Sequence, residues 1–189
     1  MKDPTTISSA SSGVRRLFKP AVLMALALTS MGTQVGYCDD LAPSTELPGS
    51  ELSAIHTMRT IANVNQTGAN NNASVRQQGA AQNAQVSQYG SNNQASAVQG
   101  GGTGNSAQLN QAGAGNMIAV GQHGSKNQTT VGQDGNGNNA AVSQSSNGLQ
   151  AQVHQFGNLN TAAVNQTAGA PPVIVNQYGN GTFAKLTQY

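Results

Sequence analysis

Beyond residue 60 the chain alternates small or apolar residues with polar residues at a period of two, in segments that recur at nearly every eleventh position. Each segment reads Ala-x-Val-x-Gln or a close variant, as between Ala62 and Gln66 and between Ala151 and Gln155. Successive side chains of a β-strand point to opposite faces, so this alternation predicts strands that bury Ala, Val and Gln on one face. We therefore expect a series of short strands and an all-β fold.

Glutamine is the most regular residue of the pattern, because successive members lie eleven positions apart with a single exception of twelve, between Gln99 and Gln111. The series comprises Gln66, Gln77, Gln88, Gln99, Gln111, Gln122, Gln133, Gln144, Gln155, Gln166, Gln177 and Gln188. A glycine lies two positions after many of them, at Gly68, Gly79, Gly90, Gly113, Gly124, Gly135, Gly157 and Gly179. Glycine adopts the positive φ of a tight turn without steric cost, so these positions predict an arc after each strand.

Alternate segments are stricter and define a repeat twice as long, of twenty-two positions. They read Gln-x-Gly-x-x-Asn, with the asparagine at Asn71, Asn93, Asn116, Asn138 and Asn160 and with Thr182 in the sixth copy. Two strands per repeat predict a β-solenoid of stacked strand-arc-strand turns with a cross-β spacing of roughly 4.7 to 4.8 Å. The six predicted turns span residues 60–81, 82–104, 105–126, 127–148, 149–170 and 171–189.

Stacking at this spacing places equivalent side chains one above the other. We expect the glutamines to form two inner ladders and the asparagines a third ladder near the arcs, in which each buried amide bonds to the neighbouring rungs. A buried amide without partners would cost on the order of 1 to 3 kcal/mol. The two terminal turns lack one neighbour, so their strand edges are predicted to accept further copies of the chain.

The N-terminal segment does not share the repeat. Arg15, Arg16 and Lys19 precede an apolar run over residues 21–28, which is typical of a secretory signal peptide and too short to span a bilayer. We predict a signal peptide over residues 1–38, with cleavage after Cys38 or, as the alternative, after Gly32. Residues 39–59 contain prolines and acidic residues outside any repeat and predict a flexible acidic leader.

Composition narrows the possible functions. Only 7% of the residues are charged, against about 25% in typical domains, and Asn and Gln together make up almost a third of the chain from position 60 onwards. Half of the Lys and Arg residues lie before Ala21, so the predicted mature chain has no basic surface for nucleic acid. Cys38 is the single cysteine, which excludes a disulfide framework and a cysteine-based metal site.

Candidate catalytic and metal-binding groups are few. His56, His123 and His154 occupy unrelated phases of the repeat, so we predict no catalytic site, no metal site and no cofactor. Asp134 begins a stretch similar to a calcium loop, but Asn139 stands where that loop requires glycine. A ligand-binding or ice-binding β-solenoid is the alternative from a different class. Its flat array of one outward residue type is not present, because the outward positions here are mixed.

The pattern Gln-x-Gly-x-x-Asn-x-Ala-x-x-x-Gln, intact at Gln66, Gly68, Asn71, Ala73 and Gln77, resembles the curlin repeat of bacterial curli fibres. The resemblance implies a secreted structural subunit, not an enzyme, of a pilus-like functional amyloid fibre at the bacterial cell surface. Such fibres act in cell adhesion and biofilm formation. The implied partners are further copies of the chain, the other curlin subunit, an outer-membrane curli secretion pore and periplasmic chaperones.

The curlin family has a major fibre subunit and a minor, surface-attached nucleator. The regular sixth repeat, which ends at Gln188-Tyr189, favours the major subunit. The Pro171-Pro172 pair favours a divergent or nucleating subunit. So do the residues at the family's serine positions, which here are Thr60, Gln82, Asn105, Asn127, Leu149 and Pro171. The sequence leaves both roles open.

Overall fold

The computed structural model describes residues 22–24, 34–37 and 59–189, and these ranges contain β-strands and no helix. The strands are β1 (Val22–Met24), β2 (Gln34–Tyr37), β3 (Ile61–Ala69), β4 (Asn72–Gln78), β5 (Asn83–Ser91), β6 (Gln94–Gly100), β7 (Ser106–Ala114), β8 (Met117–His123), β9 (Gln128–Asn136), β10 (Asn139–Gln144), β11 (Gln150–Phe156), β12 (Thr161–Gln166), β13 (Val173–Tyr178) and β14 (Phe183–Gln188). Accordingly, no membrane-crossing helix occurs in these ranges. The predicted signal peptide, its cleavage site and the acidic leader lie outside the described residues, apart from β1, β2 and Arg59.

Strands β3 to β14 form two parallel sheets. Sheet I contains β3, β5, β7, β9, β11 and β13, and sheet II contains β4, β6, β8, β10, β12 and β14. Each strand pairs in register with the equivalent strand one turn later, so that Gln66 lies beside Gln88. One inserted residue lengthens the repeat by a single position where Gln88 pairs with Gln111. The prediction of an all-β solenoid built from six two-stranded turns is confirmed.

The core is a thin double layer of small and β-branched side chains between the two sheets. Along β5, for example, Ala84, Val86 and Gln88 are buried and the residues between them are not. Equivalent residues stack from turn to turn, so columns of alanine and valine run along the solenoid axis. Larger apolar side chains occur in the same columns at Leu109 and Ile118, which are 0% and 1% exposed. Small and β-branched side chains suit this core because they pack well on a pleated surface.

The two ends of the solenoid differ. At the N-terminal end β2 pairs antiparallel with β3, and β1 pairs antiparallel with β4. At the C-terminal end no described strand pairs with the outer edge of β13 or β14. Leu186 on β14 is therefore 37% exposed, whereas Val164, one turn earlier in the same column, is 3% exposed. The apolar interior is open to a further turn at this end.

Candidate functional site

Two columns of glutamine run through the interior, one on each sheet. On sheet I each Nε2 donates to the Oε1 of the next member at 2.6–3.0 Å, along Gln66, Gln88, Gln111, Gln133, Gln155 and Gln177. On sheet II the same bond, at 2.8–3.1 Å, links Gln77, Gln99, Gln122, Gln144, Gln166 and Gln188. Every bond in both ladders runs from the N-terminal towards the C-terminal turn. Each ladder consequently has an acceptor end and a donor end.

The second hydrogen of the ladder amides is also paired. Gln88 Nε2 donates to the carbonyl of Asn72 at 3.0 Å, which connects sheet I to the start of the strand across the core. Equivalent bonds recur at most other rungs. Gln166 differs, because its Nε2 donates to the carbonyl of Pro171 at 3.1 Å in the arc that follows. Pairing both hydrogens avoids the roughly 1 to 3 kcal/mol that an unsatisfied buried group costs.

The first arcs, which join each strand of sheet I to the next strand of sheet II, are linked from turn to turn by buried asparagines. Asn71 Oδ1 accepts the backbone N–H of Asn93 at 3.1 Å, and Asn71 Nδ2 donates to the carbonyl of Gly90 at 3.0 Å. The same pair of bonds continues through Asn93, Asn116, Asn138 and Asn160. These asparagines bond side chain to backbone, whereas the glutamines bond amide to amide.

Glycine in the first arcs is required by the stacking of the turns. The arc glycines Gly68, Gly90, Gly113, Gly135, Gly157 and Gly179 have φ values between 106° and 125°. A Cβ on Gly113 would overlap the carbonyl oxygen of Gly135 in the next turn, and its φ of 114° is one that L residues rarely adopt. In the second arcs, which join sheet II back to sheet I, Gly79 and Gly124 have φ values of 118° and 109°.

A further buried amide column lies in the second arcs, and the sequence analysis missed it. Asn105 N donates to Gln82 Oε1 at 3.2 Å, and Asn127 N donates to Asn105 Oδ1 at 2.9 Å. The column ends at Leu149, whose N–H donates to Asn127 Oδ1 at 2.9 Å and whose side chain is apolar and buried. Gln82 and Asn127 lie five positions after a ladder glutamine, as the first-arc asparagines do. That shared spacing is the signal that could have identified them.

Exposed asparagines also form a short ladder on the last three first arcs. Asn136 Nδ2 donates to Asn158 Oδ1 at 3.2 Å, and Asn158 Nδ2 donates to Asn180 Oδ1 at 3.1 Å. The same oxygens accept the backbone N–H groups of Asn136 and Asn158 at 3.0 and 2.8 Å. In each case the asparagine directly follows the arc glycine. This ladder was not predicted from the sequence. Polar stacking therefore extends from the core to the surface of these arcs.

One buried side-chain atom in the described solenoid has no hydrogen-bond partner. It is Gln77 Oε1 in the first turn, the acceptor end of the sheet II ladder. The donor end of that ladder is Gln188 in the last turn, and no described strand follows β14. A free acceptor at one end and an uncovered donor at the other are chemically complementary.

The ionisable residues do not come together in a reactive site. His123 lies on β8 of sheet II and His154 on β11 of sheet I, where its Nε2 is 2.6 Å from Nε2 of Gln152. Asp134 is exposed on β9, and His56 lies outside the described residues. Within the described part of the chain no three His, Cys, Asp or Glu side chains are placed to hold a metal ion. The features with functional potential are the amide columns and the two ends.

Comparison with known proteins agrees with this geometry. The family model of the curlin associated repeat matches residues 113–145. The turns on either side continue the register of the matched segment on both sheets. No curated protein and no solved structure matches the chain. The matched segment, together with the register of the six turns, supports assignment of the chain to the curlin family.

Proposed function

We propose that the chain is a structural subunit of an extracellular, pilus-like curli-type amyloid fibre in which copies stack end to end through their strand edges. The observation that carries this proposal is the complementarity of the two ends. The sheet II ladder begins in the first turn at Gln77, whose Oε1 has no partner. It ends in the last turn at Gln188, where no described strand covers β13 or β14. Further copies of the same chain satisfy both ends at once.

The register of the solenoid specifies how two copies meet. Continuing it places β3 of an incoming copy on β13 and β4 on β14. Gln77 of the incoming copy then lies one turn beyond Gln188, whose Nε2 donates to the free Oε1. Leu186 becomes covered by the apolar column of the next turn. Apolar burial stabilises this contact at roughly 25 cal/mol per Å², in addition to the satisfied amides.

Access to the N-terminal edge depends on the segment before the solenoid. β2 and β1 occupy the outer edges of β3 and β4. Cleavage of a signal peptide after Cys38 removes both strands and exposes the edge. Stacking then becomes possible once the chain has entered the periplasm, which gives periplasmic chaperones the role of keeping it unstacked until it reaches an outer-membrane curli secretion pore.

Among the two subunit roles we propose that of the major subunit, in fibres that serve cell adhesion and the biofilm matrix. The sixth turn pairs in full register with the fifth on both sheets, so the C-terminal end offers regular strand edges suited to stacking. In a test, a strain that lacks this gene but retains the other subunit is grown beside cells that export this chain. Fibres on the surface of the recipient strain support the major role. Their absence supports the minor nucleator instead.

Fibre formation itself is tested with the chain lacking residues 1–38. The purified chain is released from denaturant, and fibres are examined by amyloid-dye binding and X-ray diffraction. We expect dye binding and a reflection at about 4.7 to 4.8 Å along the fibre axis. A soluble monomer without that reflection would contradict the proposal.

A further inference from the structure

The outer faces of the two sheets carry opposite charges. Strands β4 to β14 of sheet II contain two cations, Arg76 and Lys185, and no acidic residue. Strands β3 to β13 of sheet I contain one acid, Asp134, and no Lys or Arg. All three side chains are exposed. The two faces of one solenoid are therefore electrostatically complementary to each other, although they point in opposite directions.

The acid lies in a groove that follows the solenoid axis on sheet I and has a volume of about 460 Å³. Tyr89, Ala112, Asp134 and Phe156 occupy successive turns of one column along it. Tyr89 is 68% exposed and Phe156 is 42% exposed, while Ala112 leaves a gap between Tyr89 and the carboxylate. The groove thus has aromatic rings at both ends and a single negative charge between them.

Phe156 is the aromatic neighbour of Asp134 in this column, one turn further along the axis. It stacks on Tyr178 of the next turn, with ring centroids 5.3 Å apart and planes at 3°. On its own strand Phe156 also lies near His154, with ring centroids 6.3 Å apart and planes at 20°. A Lys or Arg side chain beside Asp134 would meet a carboxylate and an aromatic face together, an arrangement that attracts cations through both Coulomb and cation–π interaction.

The cations of sheet II lie on a face that a neighbouring sheet can approach closely. Between Arg76 in the first turn and Lys185 in the last, the two outward columns hold mainly Ser, Ala and Gly. In the stacked fibre, Arg76 of each copy lies one turn beyond Lys185 of the preceding copy. Their Cα atoms are then about 8 Å apart, because they are separated by one strand spacing along the axis and by two residues along the strand. Every junction therefore concentrates two positive charges on sheet II.

We propose that sheet I of one fibre packs laterally on sheet II of a neighbouring fibre, with Lys185 and Arg76 of a junction directed into the groove beside Asp134. This inference rests on the proposed fibre function and adds to it a specific contact between fibres. The occupant of the groove is a second copy of this chain. The facing carboxylate offsets the repulsion between the two cations of the junction.

The spacing of the charges permits the same contact in every copy. Both the junction and Asp134 recur once per six turns, about 28 Å along the fibre. Asp134 lies in the fourth turn, whereas Lys185 lies in the sixth and Arg76 in the first turn of the following copy. Neighbouring parallel fibres are thus displaced by two to three turns, or about 10 to 14 Å.

Carbodiimide cross-linking tests the contact directly in assembled fibres of the mature chain. This reagent joins a carboxylate to an amine that it touches, without a spacer. Asp134 and Lys185 lie on opposite outer faces of one solenoid, so an Asp134–Lys185 link forms only between laterally packed fibres. We expect this linked peptide by mass spectrometry in wild-type bundles, and its absence there would overturn the inference.

Variants test whether the pair holds bundles together, with filaments per bundle counted by electron microscopy at low ionic strength. Asp134→Asn should lower that number by ~3-fold or more, because the pair recurs in every copy along the fibre. Arg76→Gln combined with Lys185→Gln should do the same from the other face. Wild-type bundles should loosen equally at about 1 M salt, where the Debye length is about 3 Å.

Lys126→Gln is the matched control, because it removes one exposed cation from a second arc and not from sheet II. We expect wild-type bundles for this variant. Equal loosening by Lys126→Gln, or intact bundles in both Asp134→Asn and the Arg76/Lys185 double variant, would overturn the lateral contact while leaving the fibre proposal in place. Failure of the wild-type chain to form any filament would overturn the proposed function and this inference together.

Discussion

The first and second arcs connect the same strands but differ in regularity. All six first arcs have glycine at positive φ, and their buried asparagine column runs unbroken from Asn71 to its last acceptor, Asn160. In the second arcs the glycine two positions after the ladder glutamine is not always present, because Ser146 and Ala168 occupy this position in two of the turns. Their amide column stops at Leu149. Both kinds of arc nevertheless return the chain to a sheet in the same register.

The second arcs show which changes an arc tolerates. Leu149 has no side-chain oxygen to accept a hydrogen bond, and Pro171, one turn later, has no N–H to donate one. The loss of the acceptor at Leu149 therefore coincides with the loss of the donor at Pro171, so the change leaves no backbone N–H of this column without its acceptor. The difference between the arcs teaches that stacking depends on satisfied backbone groups and not on a fixed residue at each position.

The largest expected effect comes from the stacked glycines of the first arcs. Gly113→Ala should cost more than ~3 kcal/mol, because its Cβ would meet the backbone of the next turn and its φ is unfavourable for alanine. Gly148→Ala in a second arc, with φ of 70° and open space around its Cβ, should cost about 1 to 2 kcal/mol. The soluble concentration in equilibrium with fibres measures both, and rises tenfold for about every 1.4 kcal/mol lost. Equal concentrations for the two variants would remove the distinction between the arcs.

An intermediate effect is expected at the buried amides. Asn116→Ala leaves the N–H of Asn138 without its partner, and Asn127→Ala does the same to Leu149. Each should cost about 1 to 3 kcal/mol, despite the different regularity of the two arcs. Asn165→Ala, at an exposed position on β12, is the control and should change stability by less than about 0.5 kcal/mol. A much smaller cost for Asn127→Ala than for Asn116→Ala would show that the second arc accommodates the loss.

The smallest effect tests the coincidence of Leu149 and Pro171. Leu149→Asn alone buries an acceptor with no donor above it, so the soluble concentration should rise. Adding Pro171→Asn supplies the donor and should recover about 1 kcal/mol, a roughly fivefold fall in soluble concentration relative to the single variant. If the double variant equals the single variant, the two residues are not coupled. Pro172→Ala, beside the site but outside the column, serves as the control for removing a proline.

The strand order and the register of the turns were predictable because alternation and spacing are properties of the sequence itself. The second-arc column was missed because Gln82, Asn105 and Asn127 differ in side-chain length and their series ends in an apolar residue. The curlin repeat has serine at these positions, so the three residues look like departures from the repeat and not like members of one column. Their burial and their bonds to the next turn became evident only when the turns were stacked.

The direction of the ladders was likewise beyond sequence analysis. A glutamine amide can donate to either neighbour, so a regular spacing along the chain does not distinguish the two directions. The pairing of β1 and β2 with the first turn was also not predicted, because neither strand contains the repeat that identifies the others. Contacts between segments of unlike pattern leave no periodic signal.

The common direction of the glutamine amides gives the solenoid an electrical axis. In both ladders the N–H groups point towards the C-terminal turn, so the side-chain dipoles add along the axis. The dipoles of the strands themselves largely cancel in a sheet, whereas these aligned amides do not. A fibre of stacked copies would therefore carry a permanent dipole moment that grows with its length, and suspended fibres should turn to align with an applied electric field.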